Sequence, residues 1–368
     1  MEERLSAEPR DAAAPPELLL DVRNGVARVT LNRPAALNAL TFGMLEGLTE
    51  RLDAWERDDR VRVIVLRGAG DKAFCAGGDI RALYAGHRAG RTDLLDYFVV
   101  EYALDHRFHT YPKPVVAVMD GIVMGGGMGL AQGARLRVAT DRTRMAMPET
   151  SIGLFPDVGA SWFLTHAPGR LGDYIGLVGQ TLRAADAVYA NLADAYFPPE
   201  SLARLDAELE SLAASADPAG ELSAMARRLA AKPSPPGELE ALRDAIDVHF
   251  AKPDMAAICA SLRSIADPAL AEWRDRTLAI LGKRSPTALA VAREQLTRGR
   301  GLGLGDVFRM ELGMVRAALE HGDFIEGIRA LIIDKDNAPR WRPLERAAVE
   351  RFFDSRWPDN RHPLAHLA

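Results

Sequence analysis

Three glycine-bearing segments carry the residue types from which an anion-stabilising site can be built, and their order along the chain matters more than any one alone. The first is Phe74-Cys75-Ala76-Gly77-Gly78-Asp79-Ile80, between a strand pattern and a helical one. Small residues let the backbone approach a ligand closely, and N–H groups exposed there can face a developing oxyanion. A tight turn with Asp79 as a helix cap explains the same residues without chemistry. The second segment, Gly121-Ile122-Val123-Met124-Gly125-Gly126-Gly127-Met128-Gly129, also follows a strand and leads into a helix. It puts a glycine N–H at a helix N-terminus, where unpaired donors and the dipole favour negative charge. The spacing does not match G-x-G-x-x-G and no G-K-[ST] follows, so dinucleotide and P-loop readings fail. The third segment, Met147 to Gly159, holds Glu149 and Asp157 in a mostly apolar stretch. Shelter from water there would raise a carboxylate pKa. Taken singly, a Glu and an Asp in a loop are more often caps than catalysts.

The elements that must position these segments are readable from periodicity and turn chemistry. Leu18 to Arg23 and Val26 to Leu31 flank Asn24-Gly25, a hairpin signal because both turn positions need φ > 0. Thr41 caps a helical pattern to about Asp58, with Met44, Leu45, Leu48, Leu52 and Trp55 on one face. The strand Val61 to Leu66 follows, then a helix near Asp93 to Phe108, the strand Val115 to Met119, a helix from Gly126 to Ala134 and the strand Leu136 to Thr140. That alternation predicts an α/β layer packing with a repeated structural unit and no sequence repeat. From about Pro198 the strands stop, and helical spacing dominates Leu202 to Leu229, Glu238 to His249 and Trp273 to Leu281. Ser285-Pro286 opens another helix, a cap residue before proline at the first helical position. The expected organisation is a disordered tail over residues 1–16, an α/β core with the site over 17–200 and an all-helical region over 201–368.

Composition bounds the function classes. The 368 residues are 48% hydrophobic and 26% charged, as in an ordinary globular protein. A net charge of −5 argues against nucleic-acid binding, which needs a concentrated basic face. Cys75 and Cys259 are too few for a disulfide framework or a thiolate metal site. No stretch approaches the roughly 20 apolar residues of a membrane span. The first 16 residues carry Glu2, Glu3, Glu8 and Asp11 without an apolar core, which reads as neither a signal nor a transit peptide. A cytoplasmic protein is the expectation. No Gly-x-Ser-x-Gly occurs, and no histidine lies near Cys75 in sequence to make a nucleophile pair.

The run Asn32-Arg33-Pro34, Asn38-Ala39-Leu40, Phe74-Cys75-Ala76-Gly77-Gly78-Asp79, Gly125-Gly126-Gly127, Pro148-Glu149 and Pro156-Asp157-Val158-Gly159 resembles the crotonase superfamily signature in order and spacing. The resemblance implies a spiral of ββα units, coenzyme A thioester substrates, and an oxyanion hole whose donors match Gly78 and Gly126. Enoyl-CoA hydratases of that superfamily use two glutamates; one matches Glu149, and the position of the other is Gly129 here. Gly153-Leu154-Phe155-Pro156-Asp157-Val158-Gly159, together with Ser285-Pro286-Thr287, Asp323 to Ala330, Ile333 to Asp336 and Pro339-Arg340-Trp341, is similar to the 3-hydroxyisobutyryl-CoA hydrolase branch. That branch implies hydrolysis of a short 3-hydroxyacyl thioester, as in valine breakdown. Glu149 would be base or nucleophile and Asp157 would orient the 3-hydroxyl or the water. Glu101 matches the branch's substrate-contact glutamate, with a solvated helix residue as the plain alternative. Neither metal nor separate cofactor is implied, because coenzyme A arrives with the substrate; a homo-oligomer is compatible with the resemblance. The competing expectations are an enoyl-CoA hydratase or isomerase using Glu149 as single base, and a non-catalytic CoA-binding or assembly protein.

Overall fold

Asn24 (φ 51°) and Gly25 (φ 80°) take the left-handed conformation their turn demands and join β1 (Leu18–Arg23) to β2 (Val26–Leu31) antiparallel. These coordinates come from a computed structural model, which describes residues 15–354, 356–357 and 361–368. The tail expected over residues 1–16 therefore lies outside the described residues apart from its last two. Thr41 accepts a hydrogen bond from the Met44 N–H (3.2 Å) and starts α1 (Phe42–Glu56), which buries the five residues its periodicity marks. There follow β3 (Val63–Gly68), β4 (Ala73–Cys75), α2 (Ile80–Arg88) and α3 (Leu94–Thr110). A second round comprises β5 (Val115–Met119), β6 (Ile122–Met124) and α4 (Gly126–Gln132), and a third begins with β7 (Leu136–Ala139) and β8 (Arg144–Ala146). The short β9 (Ala195–Tyr196) closes the strand set.

Each round sends one strand to each of two sheets. The large sheet has the order β1-β2-β3-β5-β7-β9 and the small one β4-β6-β8; every pairing except β1–β2 is parallel. This is the spiral of ββα units. The large sheet is covered on both faces, which is why its strands read as continuous apolar runs. Ile64, Leu66, Val115 and Ala117 face the main core with α1 and α3, whereas Val63, Val65, Val116 and Val138 face Leu205, Leu209, Leu222 and Met225. Those last four belong to two helices, Pro199–Ala214 and Pro218–Leu229. The sequence pattern had suggested one helical stretch there. Asp217 ends it, accepting from Gly220 N–H (3.0 Å) as a new cap ahead of Pro218.

The three strands of the small sheet escape periodicity because each is three residues long. After Tyr196 the described elements are helical, and two of them, Phe324–Ile328 and the π-helical turn Arg329–Ile333, return to the mouth of the small sheet. Among the described residues, no helix is long and apolar enough to cross a membrane.

The covering helix pair should matter to stability. Leu209 is fully buried against the outer face of the large sheet. Leu209→Ala is expected to lower the unfolding free energy by about 2–5 kcal/mol, read from urea midpoints at constant m. A loss within experimental error would mean that the helix pair does not pack as described.

Candidate active site

The strands β4, β6 and β8 lie side by side and parallel, so their carboxyl ends emerge together at the spacing of neighbouring strands, roughly 5 Å. Each is followed within three residues by one of the segments singled out above: Gly77-Gly78 after β4, Gly125-Gly126 after β6, and Pro148-Glu149 after β8. They line one cavity of about 610 Å³. The close approach is visible at Gly77, whose φ is 100° and where an added Cβ would stand 3.2 Å from the Gly126 nitrogen. Leu40 braces the first edge: its N–H donates to Gly77 O (2.8 Å) and its carbonyl accepts from Asp79 N–H (2.9 Å). The Gly78 N–H is thereby turned the other way. Among the described residues, neither it nor the Gly126 N–H at the first position of α4 donates to a protein acceptor. Two unpaired amides on one cavity wall are what a developing oxyanion requires.

Three buried carboxylates reach the same cavity, with Asp79, Asp93 and Asp96 also along its lining: Glu101 from α3, Glu149 from the 3₁₀ turn Glu149–Ile152, and Asp157 from the following loop. They are 2%, 5% and 5% exposed, which removes the reading of Glu101 as a solvated helix residue. An added Cβ on Gly126 would lie 2.2 Å from Glu101 Oε1, so only glycine lets that carboxyl stand against the first turn of α4. Burial holds the Glu149 and Glu101 protons well above the usual carboxylate range, and the Asp157 charge adds to it. Asp157 is raised by burial to about 6, with the Tyr102 hydroxyl opposing by donating to Oδ2 at 2.7 Å. Cys75 is buried and pushed up to about 12 by desolvation, as a packing residue would be. Asp79 caps α2, accepting from Ala82 N–H (3.2 Å), so the plain cap reading and the glycine site coexist in one segment.

Several residues that build the site have no site role assigned by the sequence, and Tyr97, Tyr102, Gln295 and Glu311 are not marked by it at all. Val158 (φ 56°) and Gly159 (φ 85°) bend the chain sharply after Asp157. A β-branched residue in that region persists only when its surroundings hold it. Here the fully buried Glu311, on the helix Leu304–His321, accepts from the Gly159 and Ser161 N–H groups at 2.7 and 2.8 Å. Gln295, on the helix Pro286–Gly299, donates to Ser161 Oγ (2.9 Å) and to the Pro156 carbonyl. Ser285 caps that helix and donates to Asp323 (2.6 Å), anchoring the segment from which Phe324, Leu331 and Ile332 wall the cavity. Buried Asn38 (φ 57°) donates to the Ala69 and Ala73 carbonyls and accepts from Arg33 N–H, fixing the approach to β4. Tyr97 stands beside Gly78, its hydroxyl 3.4 Å from Glu101 Oε1. Chain distances of up to about 150 residues hide these contacts from local pattern.

Comparison with known proteins matches residues 26–353 to the enoyl-CoA hydratase/isomerase family. A chicken protein named "3-hydroxyisobutyryl-CoA hydrolase, mitochondrial" is 38% identical over 94% of this chain and 88% of its own length. A Neurospora crassa protein named "Small ribosomal subunit protein mS47" is also 38% identical, over 91% of this chain and 69% of its own. The crystal structure of an enoyl-CoA hydratase from Rhodobacter sphaeroides superposes with a TM-score of 0.83 at 36% identity, covering 92% of this chain and 97% of that one. The cytoplasmic expectation is corrected here, because the vertebrate relatives, including the chicken one, are named as mitochondrial. Two free cysteines and the acids among the first sixteen residues do not distinguish one compartment from another.

The raised Asp157 proton affinity has a measurable consequence. Between the ordinary 3.8 and about 6, the folded state binds more protons at this group than the unfolded chain does. Its contribution to stability therefore falls as pH rises through that window. Relative to the parent, Asp157→Asn should gain up to about 3 kcal/mol in unfolding free energy between pH 4 and pH 7. Parallel stability–pH curves for the two proteins would contradict the burial argument.

Proposed function

The chain belongs to the enoyl-CoA hydratase/isomerase family, and within it we propose that it hydrolyses the thioester of 3-hydroxyisobutyryl-CoA, or a similar short 3-hydroxyacyl-CoA, to the free acid and coenzyme A. The observation that carries this reading is the cavity itself: two unpaired backbone amides face three buried carboxylates, and glycine stands at position 129. The amides of Gly78 and Gly126 receive the thioester oxygen as it gains charge, an interaction whose removal costs about 10²–10³ in rate in comparable sites. Glu149 either takes a proton from the attacking water or attacks the carbonyl to form a mixed anhydride that water opens. Its raised proton affinity makes it a stronger base once ionised. Asp157, held by Tyr102, and Glu101, beside Gly126, pair with the polar end of the acyl group. The equally similar ribosomal relative shows that identity alone does not separate an enzyme from an assembly protein. The presence of Glu149, Asp157 and the glycine edges in one cavity supports the catalytic reading.

Three measurements on a panel of acyl-CoA thioesters test it. Glu149→Gln should lower thiol release by about 10²–10⁴-fold, the usual range for a lost acid–base group. Normal turnover in that variant would sink the mechanism. Because burial raises Glu149, kcat/KM should climb with pH well above the ordinary carboxylate range and be lost on the acid side. A site built to bond a hydroxyl leaves its polar groups unpaired when the hydroxyl is missing. The 3-hydroxyisobutyryl thioester should thus be preferred over isobutyryl by up to about 10⁴ in kcat/KM. The hydratase named among the similar structures motivates the alternative. Efficient hydration of crotonyl-CoA without thiol release would favour that alternative.

A further inference from the structure

Glu101, Asp105 and His109 fall at i, i+4 and i+8 of α3, one above the next on a single face, at about 6 Å of rise per step. That face packs against the glycine side of α4 in parallel register. A Cβ built on Gly129 would lie 2.4 Å from Asp105 Oδ2, and one on Gly133 would lie 2.9 Å from the His109 backbone nitrogen. Gly126 stands in the same relation to Glu101. Asp105 is fully buried, and among the described residues neither of its carboxyl oxygens has a hydrogen-bond partner; His109 Nε2 is buried and unpaired as well. Leaving such atoms unmade costs about 1–3 kcal/mol each, so their retention asks for a reason. The two ends of the row open into different spaces. Glu101 lines the 610 Å³ cavity, whereas His109 lines a separate polar cavity of about 320 Å³ with Gln132, Arg137 and His166. Asp105 lines neither and lies between them on the helix.

We propose that Glu101, Asp105 and His109 form a proton path from the acyl site to the second cavity. The proposal rests on the hydrolytic reading above. Thioester plus water yields carboxylate, coenzyme A thiol and one proton, whether Glu149 acts as base or as nucleophile. The C–S bond breaks, the new C–O bond takes its oxygen from water, and one water proton ends on the thiol. The other remains in the site when the product acid ionises. A coenzyme A chain entering by the mouth of this cavity would occupy the opening through which bulk water could otherwise collect it. That proton passes to Glu101. Asp105 accepts it on one oxygen while giving its own from the other to His109, and His109 releases it to the second cavity, each step taken as side-chain rotation brings neighbouring members of the row together across one helical turn.

The surroundings fit transit rather than storage. Burial raises the Asp105 proton affinity well above the usual carboxylate range, and the charges of Glu101, Asp157 and Glu311 add to it, which favours the protonated carboxyl that can donate from one oxygen and accept on the other. Burial, with His106 and Arg137 nearby, lowers His109 to about 4, so a proton arriving there is handed on to solvent. A purely structural buried acid in this protein looks different: Asp173 is surrounded by Arg170, Arg293 and Arg300.

Single turnovers of 3-hydroxyisobutyryl-CoA in weak buffer, followed in parallel with a pH indicator and a thiol reagent that sees only departed coenzyme A, test the path. In the parent enzyme the proton should appear ahead of the thiol. Asp105→Asn, close in shape, should lose that lead, and so should His109→Ala and the larger His109→Gln. Added imidazole, small enough for the second cavity, should restore the lead in His109→Ala and not in Asp105→Asn. Proton and thiol emerging together in the parent, an unchanged lead in the folded variants, or no imidazole rescue of His109→Ala would each overturn the path. Absence of any thiol release from the parent would instead overturn the hydrolytic reading.

Discussion

Hydrogen bonding between three short parallel strands sets the distance scale on which everything else depends. Once β4, β6 and β8 pair, Gly78, Gly126 and Glu149 can be no farther apart than adjacent strands and a short turn permit. The long strands β3, β5 and β7 make this arrangement stable, since a set of three-residue strands would not hold by itself. Each ββα round thus uses one strand for stability and one for position. The glycine turns follow from the same constraint, because a side chain at Gly127 would lie within 2.2 Å of the Cys75 carbonyl.

The remaining wall is supplied from far along the chain. Asp157 sits on a bend that its own residues do not favour, and Glu311 and Gln295 hold that bend from two C-terminal helices. The Glu311 carboxyl is raised to about 8 by burial, against the pull of the Ser161 and Gly159 donors. Cavity shape and loop geometry therefore depend on the helical region, which is linked to the core through a shared set of buried residues running from Tyr102 to Phe308 and Leu312.

Legibility in the sequence followed the range of the interactions concerned. Asn24-Gly25 and Thr41 act within a few residues, and their hairpin and helix cap stand where the sequence puts them. Val115 to Met119 is a continuous apolar run, and its strand has those bounds. Glu149 and Asp157 are visible because two acids in an apolar segment are unusual. The resemblance, rather than periodicity, marks Glu101: on α3 it is one acid among Asp96, Glu101 and Asp105, and only the fold distinguishes them, leaving Asp96 exposed, Asp105 away from the cavity and Glu101 buried against it. Tyr102, Glu311 and Gln295 carry no local signal at all. Their partners are assembled by the fold, at separations of 55 residues or more.

Charge placement separates the acids paired with arginines from those buried without a cation. Asp173 recruits three arginines, so its charge is compensated where it is buried. Arg329 gathers Glu326, Asp334 and Asp336 at the surface, fixing the turn that ends the cavity wall. Among the described residues, Glu101, Asp105, Glu149 and Asp157 have no cationic partner in any ion pair, and neutral hydroxyls are the polar side chains that reach Glu101 and Asp157. An arginine placed among them would lower their proton affinities by stabilising the charged forms and would end their usefulness as acids and bases near neutral pH. Leaving them unpaired costs stability, and protonation lessens that cost because a neutral carboxyl is cheaper to bury than a charged one. The same absence of cations favours the protonated forms of these carboxyls, which a strongly paired site would forbid.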